Sequence, residues 1–340
     1  MNDSKDNQQI AVIILNWNGA ALLREYLPQV LANTDRKIAR VIVADNGSTD
    51  DSLRVLKEEF PDVETLCFDK NHGFAEGYNL CLEHYKDWPY AVLLNSDVAP
   101  APGWIGPLFD FMESNPQAGA CQPKLLSYTD KSRFEYAGAC GGFLDRNGYP
   151  YCRGRIFATC EADRGQYDSV MEVDWASGAA LMVRTALYLK AGGLDPSFFA
   201  HMEEIDLCWR MRLEGYKLYA VPSSTVYHLG GGSLPPSNPR KTYLNFRNNL
   251  LMLHKNLPER DRRGALLRRR LLDTVAWAKF VATFSFGNAN AILRAHRDYR
   301  RMSAACSTTS SSENLLTSRP NILTAYYLRG RKTFDKLPKN

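Results

Sequence analysis

The chain has 340 residues, with 42 Lys and Arg against 37 Asp and Glu (net charge +5), and 45% of it is hydrophobic. That is enough for one large α/β domain with an extension, or for two domains, and the composition excludes a disordered or fibrous protein. No secretory hydrophobic region opens the chain: residues 1–9 are polar, and the apolar run 10–15 is far too short to span a bilayer. Eight scattered cysteines without a CxxC pair read as free thiols in a reducing compartment.

The run 10–15 (IAVIIL) reads as a buried strand. The polar turn Asn16-Trp17-Asn18-Gly19 follows, then a helix over 20–34 with Leu22, Leu23, Leu27, Val30 and Leu31 at helical spacing. A second strand, 39–44, ends in Asp45-Asn46-Gly47-Ser48-Thr49-Asp50, and a helix carrying Leu53, Leu56 and Phe60 comes next. The alternation continues with a strand over 63–68, a helix over 74–85 and a strand over 90–94. It predicts a mostly parallel sheet with helices on both faces. No G-x-G-x-x-G follows the first strand and no G-x-x-x-x-G-K-S/T occurs, so the sheet does not hold phosphates in a Gly-rich loop of either kind. Short polar or acidic clusters close the strands instead, at 16–18, 45–50, 71–73 and 95–97. At the carboxyl ends of one parallel sheet they converge on a single crevice.

The middle region is less regular. Residues 138–165 predict loops and short hairpins, and 173–183 (VDWASGAALMV) is apolar but broken by Ser177-Gly178. The stretch 203–214 (EEIDLCWRMRLE) closes at Gly215, as a helix with a C′ glycine does. Residues 216–221 read as a strand, and 227–233 as a flexible turn with His228 at its start.

Glu203, Glu204 and Asp206 place three carboxylates on the first turn of that helix. Each could complement the helix dipole, worth about 0.3–1 kcal/mol. Two adjacent glutamates after Phe198-Phe199 also suit a general base, because apolar surroundings and a like charge raise a carboxylate pKa. Arg210 lies one turn after Asp206 and could hold it ionised. Asp97 either caps a turn or faces the crevice, where phosphate oxygens and water would complete a Mg2+ or Mn2+ shell. His228 is either a satisfied polar residue or a further ligand in that shell. His72, in a polar loop, His84, late in a helix, and His201 compete for the role.

Taken together, Leu15-Asn16-Trp17-Asn18-Gly19, 45–50, 71–79 (NHGFAEGYN), Asn95-Ser96-Asp97, 174–183, Gly193-Leu194-Asp195, 198–210, Tyr227-His228 and 241–249 carry a resemblance in their order and spacing. The chain resembles the inverting family 2 glycosyltransferases of GT-A fold, in the bacterial branch that includes rhamnosyltransferases of surface polysaccharide assembly. The resemblance covers 10 to about 258. It implies an α/β fold, a single Rossmann-like mixed sheet flanked by helices with a C-terminal helical extension. It also implies a dTDP- or UDP-sugar donor. By the same resemblance Leu15 and Trp17 lie at the nucleotide, Asp45 accepts from the ring NH of the base, and Asn71, Gly73 and Asn79 line nucleotide and sugar. Ser96 takes the ribose position, Asp97 is the direct metal ligand, and His228 is the second ligand used by some members. The first carboxylate of the family's DXD motif is replaced here by Asn95. Glu203-Glu204 matches the family's Glu-Asp pair, whose second member is the catalytic base, so Glu204 inherits that role with a longer side chain. The implied acceptor is a lipid-linked saccharide, reached from the cytoplasmic, inner face of the bacterial plasma membrane.

The remaining segments divide into a catalytic region 1–258, a basic helical region 259–302 and a Ser/Thr-rich linker with basic tail 303–340. In 238–258, Lys241, Arg247 and Asn248 are the polar members of an apolar helical stripe, and Arg247 could meet an acceptor phosphate. Arginines from Arg260 onward precede an apolar run over 271–286 with internal charges, which suits an amphipathic helix on an anionic membrane surface, or one packed on the catalytic region. No stacking platform accompanies them, so nucleic acid is not an expected partner. Two other readings stand against the enzyme. An inactive nucleotide-sugar-binding relative would lack the base that Glu204 offers. A sugar-phosphate nucleotidyltransferase would need a Gly-rich, basic signature after the first strand, where only Arg24 is near.

Overall fold

The computed structural model describes residues 8–230, 238–309 and 312–338. The first elements are β1 (Ile10–Asn16), α1 (Ala20–Asn33), β2 (Ala39–Asp45), α2 (Ser52–Glu59), β3 (Glu64–Cys67), α3 (Gly73–His84) and β4 (Tyr90–Leu94). This is the alternation read from the sequence. There follow β5 (Val98–Pro100), α4 (Ile105–Ser114), β6 (Ala118–Ser127) and four short strands, β7 (Gly142–Leu144), β8 (Pro150–Cys152), β9 (Arg155–Ile156) and β10 (Thr159–Cys160). Next come β11 (Met171–Val173), β12 (Ala180–Arg184), α5 (Thr185–Lys190), α6 (Glu203–Leu213) and β13 (Lys217–His228). Three α-helices follow, α7 (Pro239–Asn256), α8 (Glu259–Ala282) and α9 (Phe286–Ser303).

The main sheet runs β11-β13-β6-β12-β4-β1-β2-β3, with β5 paired to β13. Its central strands are apolar throughout because both faces are covered. Ala11 and Ile13 of β1 point into one core and Ile10, Val12 and Ile14 into the other; Ala91 and Leu93 of β4 likewise oppose Tyr90, Val92 and Leu94. The strands β4-β1-β2-β3 are parallel, so the polar clusters after them share one edge, with Asn16 beside Asp45 and Asp45 beside Cys67. The other half of the sheet is mixed: β12 runs antiparallel to β4 and β6, and β13 is parallel to β6 but antiparallel to β11 and β5. The expectation of a mostly parallel sheet therefore holds for one half only. The reversal has a consequence, since β12 starts where β4 ends and brings residues 177–179 to the crevice edge.

Two sequence expectations need correction. His228 does not begin a flexible turn. Strand β13 shifts register between Val221 and Thr225, around Pro222, and then continues to His228, which pairs with Val98. A proline cannot donate to the ladder, so the sequence breaks there while the strand does not. Gly231, Gly232 and Ser233 of that expected turn lie outside the described residues.

The described part of 303–340 is likewise no free linker and tail. It straps onto a second, antiparallel sheet, β10-β9-β8-β7. Leu316, Ile322 and Ala325 are buried, and the Phe334 ring lies 5.2 Å from Phe143 and 5.8 Å from Tyr167. Tyr326 Oη meets Thr159 Oγ1 at 2.8 Å, and Arg319 pairs with buried Asp174. Lys339, the end of the basic tail, lies outside the described residues. All eight cysteines are unpaired.

Candidate active site

The loops after β1, β2 and β3 are bound to one another. Asn16 Nδ2 donates to Asp45 Oδ1 at 3.0 Å, the Ser48 amide to Asp45 Oδ2 at 2.9 Å, and the Asn46 amide to the Asn16 carbonyl at 2.7 Å. Gly47, at φ +69°, lets the backbone of Lys70 approach where any Cβ would stand 2.4 Å from it. Asp45 is buried, yet each carboxylate oxygen keeps lone-pair capacity beyond these bonds. Trp17 is 55% exposed at the mouth, and Gly73 faces open space at the start of α3. Asn71 Oδ1 accepts from the Gly73 amide at 2.7 Å and from Asn46 Nδ2 at 3.2 Å, which shapes this loop. Leu15 is partly buried against Gly77. Asn79 does not join the lining. Its Oδ1 accepts from Tyr188 Oη (2.6 Å) and the Leu194 amide (2.9 Å), and its Nδ2 donates to the Leu194 carbonyl (2.8 Å), so its polar atoms clamp the 192–194 turn.

Strand pairing sets His228 beside the turn between β4 and β5 that holds Ser96 and Asp97. The Leu229 amide donates to the Asp97 carbonyl at 3.1 Å, and His228 Nε2 lies 3.1 Å from Asp97 Oδ1. Behind it, Nδ1 stands 3.4 Å from Glu135 Oε2, close enough for an ion pair though without hydrogen-bond alignment. Burial disfavours the imidazolium, but the Asp97 bond and the Glu135 carboxylate outweigh it and raise the His228 pKa to about 10. Burial likewise opposes the charge on Asp97, and His228 more than compensates, holding its pKa below the usual range.

The donor set suits a hard divalent cation, one oxygen and one imidazole nitrogen turned to the same point, with Glu135 placed as outer-shell partner of the ring. Nε2 cannot both donate to Asp97 and ligate, so proton and cation are alternatives there. No group of three or more His, Cys, Asp or Glu suited to a metal occurs among the described residues, so substrate oxygens and water would have to complete the shell. The rival histidines lie elsewhere. His72 bonds Asp69 at 3.1 Å, His84 is exposed, and burial with Lys241 nearby lowers the His201 pKa to about 4.

Glu203 and Glu204 open α6 as expected. Glu204 sits against the loop between β11 and β12: a Cβ on Gly178 would contact its Cβ at 3.6 Å and the Phe74 ring at 3.7 Å. The next residue, Ala179, accepts from the Asn95 amide at 3.0 Å, which ties this wall to the β4 end that carries Asp97. Oε2 of both glutamates is buried without a hydrogen-bond partner. Burial raises both pKa values, Glu204 to about 7 and Glu203 further, because it also faces the charge of Glu204. An orphaned carboxylate titrating near neutrality can take a proton.

Asp206 is different in kind. It is fully buried, with Oδ2 bonded to Arg210 Nε (2.9 Å) and Lys255 Nζ (2.8 Å) and Oδ1 to Asn256 Nδ2 (2.7 Å). Arg210 pairs with it across one helical turn, the contact that the sequence spacing allows. With both oxygens engaged it braces α6 against α7, which corrects its place among the proton-transfer candidates.

The loop before α6 is strained and held. Phe199, His201 and Met202 all have positive φ (66°, 69° and 76°). Arg247 Nη2 donates to the carbonyls of Ser197 (3.1 Å) and Phe198 (2.8 Å), and Asn248 Nδ2 to those of Phe198 (2.9 Å), Ala200 (2.8 Å) and His201 (2.7 Å). Arg247 is buried and committed to these acceptors, so the expectation that it meets an acceptor phosphate is corrected.

A mixed sheet whose ligand loops crowd the ends of its parallel strands, with a reversed strand bringing in the wall beside an acidic helix start, is the GT-A fold of glycosyltransferases. Residues 11–163 match the family model described as Glycosyl transferase family 2. The chain is 28% identical over 236 residues to the N-acetylglucosaminyl-diphospho-decaprenol L-rhamnosyltransferase of Mycobacterium tuberculosis, spanning 64% of this chain and 75% of that one. It is 26% identical over 216 residues to rhamnosyltransferase WbbL of Escherichia coli, spanning 60% and 78% respectively. Among solved structures, GalNAc-T7 with UDP, GalNAc and Mn2+ shares the fold at TM-score 0.55 and 16% identity, over 73% of this chain and 48% of that one.

Proposed function

We propose that this glycosyltransferase moves L-rhamnose from a nucleotide diphosphate donor to a hydroxyl of a lipid-linked saccharide, with inversion, at the cytoplasmic face of the bacterial plasma membrane. The observation that carries the chemistry is Glu204, half-buried, with its Oε2 buried and unpartnered and its pKa raised to about 7, on the wall joined to the Asp97 turn. Glu204 takes the proton of the acceptor hydroxyl as that oxygen bonds to the anomeric carbon from the face opposite the leaving group. The bond from that carbon to the diphosphate oxygen breaks, and the nucleotide diphosphate leaves. One displacement needs one base and no second nucleophilic carboxylate, unlike a retaining glycosidase.

Asp97 and His228 would hold Mg2+ or Mn2+, whose charge, when bound, offsets the charge on the leaving diphosphate. Trp17, Asp45, Asn71, Gly73 and Ser96 bind and orient the donor in this reading, with Asp45 addressing the base. The choice of rhamnose is supported by the names of the mycobacterial and E. coli relatives, and that of a lipid diphosphate acceptor by the mycobacterial name.

A donor panel tests the proposal. Purified protein is offered dTDP-rhamnose, UDP-glucose, UDP-galactose and UDP-N-acetylglucosamine with a polyprenyl-diphospho-N-acetylglucosamine acceptor, and nucleotide release and product are both followed. Transfer from dTDP-rhamnose supports it. Transfer from a UDP-hexose or UDP-N-acetylhexosamine alone replaces rhamnose with that sugar.

A further inference from the structure

Helix α8 is mounted inside out for a helix in water. The face it turns to the protein carries Ala265, Arg269 and Asp273, all buried, one turn apart. Arg269 donates to Asp273 at 3.0 Å and lies 3.9 Å over the Tyr149 ring, and His296 of α9 reaches the other Asp273 oxygen at 2.9 Å. The opposite face, about 200° round by helical geometry, carries Leu267, Leu271 and Val275, exposed by 59, 63 and 69%. A helix facing water buries the apolar stripe and shows the polar one. Here an arginine and an aspartate are inside while two leucines and a valine are out.

The apolar surface continues past the helix end. Phe284, at φ 56° and 81% exposed, projects from the turn before α9, Phe286, 60% exposed, from its first residue, and Leu293 adds 55%. Six of the thirteen large apolar side chains left exposed among the described residues fall between 267 and 293, so the exposure is concentrated rather than scattered.

Charge identifies the occupant. At about 100° per residue, exposed Arg263 and Arg270 flank the stripe on one side and exposed Arg268 and Lys279 on the other. From 262 to 297 the sole carboxylate is the buried Asp273. Cations alone on both flanks of an apolar stripe match an anionic lipid interface, where the basic residues meet the headgroups and the stripe meets the acyl chains. Among the described residues no helix is long and apolar enough to cross a membrane.

We propose that α8 and residues 284–286 lie in the plane of an anionic membrane surface, with Leu267, Leu271, Val275, Phe284 and Phe286 among the acyl chains and the flanking cations at the headgroups. The placement goes beyond the catalytic reading and stands whichever sugar is transferred. It narrows the expected basic segment from Arg260 onward to one face, because Arg269 points inward. It also orients the enzyme, since α8 and α9 pack on α7, the helix whose Arg247 and Asn248 hold the loop before Glu203.

The test is co-sedimentation of the full chain with vesicles of phosphatidylethanolamine and phosphatidylglycerol (3:1), with phosphatidylcholine vesicles as the neutral control and light scattering of the lipid-free protein. The expected result is salt-sensitive binding to the anionic vesicles only. Leu271→Glu with Val275→Glu should weaken it at least about tenfold without moving the thermal unfolding midpoint. If that pair misfolds, Phe284→Ser with Phe286→Ser is the second variant and should also weaken binding. Unchanged binding by a folded variant overturns the proposal. So does absence of wild-type binding, or a dimer in light scattering that the same substitutions dissociate, which would assign the face to a second copy.

Discussion

Asn248 Nδ2 donates to the carbonyl of His201 at 2.7 Å, and the same nitrogen reaches the carbonyls of Ala200 and Phe198. One amide thus fixes the backbone immediately before the acidic pair, across three non-glycine residues at positive φ. Such conformations cost about 1–3 kcal/mol each and persist only where the surroundings over-determine them.

Replacing that amide tests the clamp. Asn248→Asp keeps the shape but presents an acceptor to carbonyls that need a donor. Misplacement of a catalytic group by about 1 Å costs on the order of 10²-fold, so kcat should fall by about that factor while KM for the donor stays put. The acid limb of the pH–rate profile should shift as well, because the base changes surroundings. Normal kcat and an unmoved pH profile, with only a lower melting midpoint, would make Asn248 a structural residue alone.

Asp206 should behave oppositely to Glu204. Asp206→Asn leaves Arg210 and Lys255 without their buried counter-charge, and breaking such a network costs about 3–5 kcal/mol. Urea unfolding should show that loss, and turnover of the remaining folded enzyme should stay within a few-fold of normal. A stable Asp206→Asn protein without activity would return Asp206 to the proton chemistry.

In the proposed reading Asp97 and His228 are the residues that would hold the cation. Asp97→Asn should abolish cation-dependent turnover and Mn2+ binding by titration calorimetry. His228→Ala should raise the Mn2+ concentration for half-maximal binding, and Glu135→Gln should do so less, since Glu135 acts only on the ring. An unchanged titration in His228→Ala would leave the histidine a partner of Asp97 and no ligand.

How much of this was legible depends on whether a signal is local. Strands β1, β2 and β4 show as apolar runs because both their faces are buried, and the polar clusters after them show as turns. Glu203 and Glu204 stand out because two carboxylates open an otherwise regular helix. Asp206 shares that turn, but nothing in the spacing tells which carboxylate faces Lys255, forty-nine residues on. Glu135 was missed entirely. It lies in an irregular stretch and meets His228 only through the pairing of β6 with β13 and the turn after β6. The 12 residues of β13 were cut short at Pro222, where a bulge carries the strand across a residue that ordinarily ends one. The outward stripe of α8 has the same periodicity as a core-facing one, so the pattern announces the helix and hides its orientation.

The pH dependence follows from the raised Glu204 pKa. A base is competent when unprotonated, so kcat/KM should rise as pH passes upward through about 7. The stability sign is the reverse of a paired carboxylate's. The unfolded chain loses this proton near 4.3 and the folded chain only near 7, so stability falls as pH rises between those values. Glu204→Gln should therefore melt higher than the natural protein at pH 8 and little differently at pH 4. A helix-dipole role predicts instead that the substitution destabilises at pH 8.

The decisive measurement is single-turnover transfer by Glu204→Gln beside Glu203→Gln, with donor binding followed by calorimetry in the same samples. Glutamine keeps the shape at 204 and removes the proton acceptor. The expected result is donor affinity within about threefold of normal and a transfer rate down by about 10²–10⁴-fold in Glu204→Gln, with a much smaller loss in Glu203→Gln. Near-normal transfer by Glu204→Gln, with collapse in Glu203→Gln, would contradict the assignment and move the base to its neighbour.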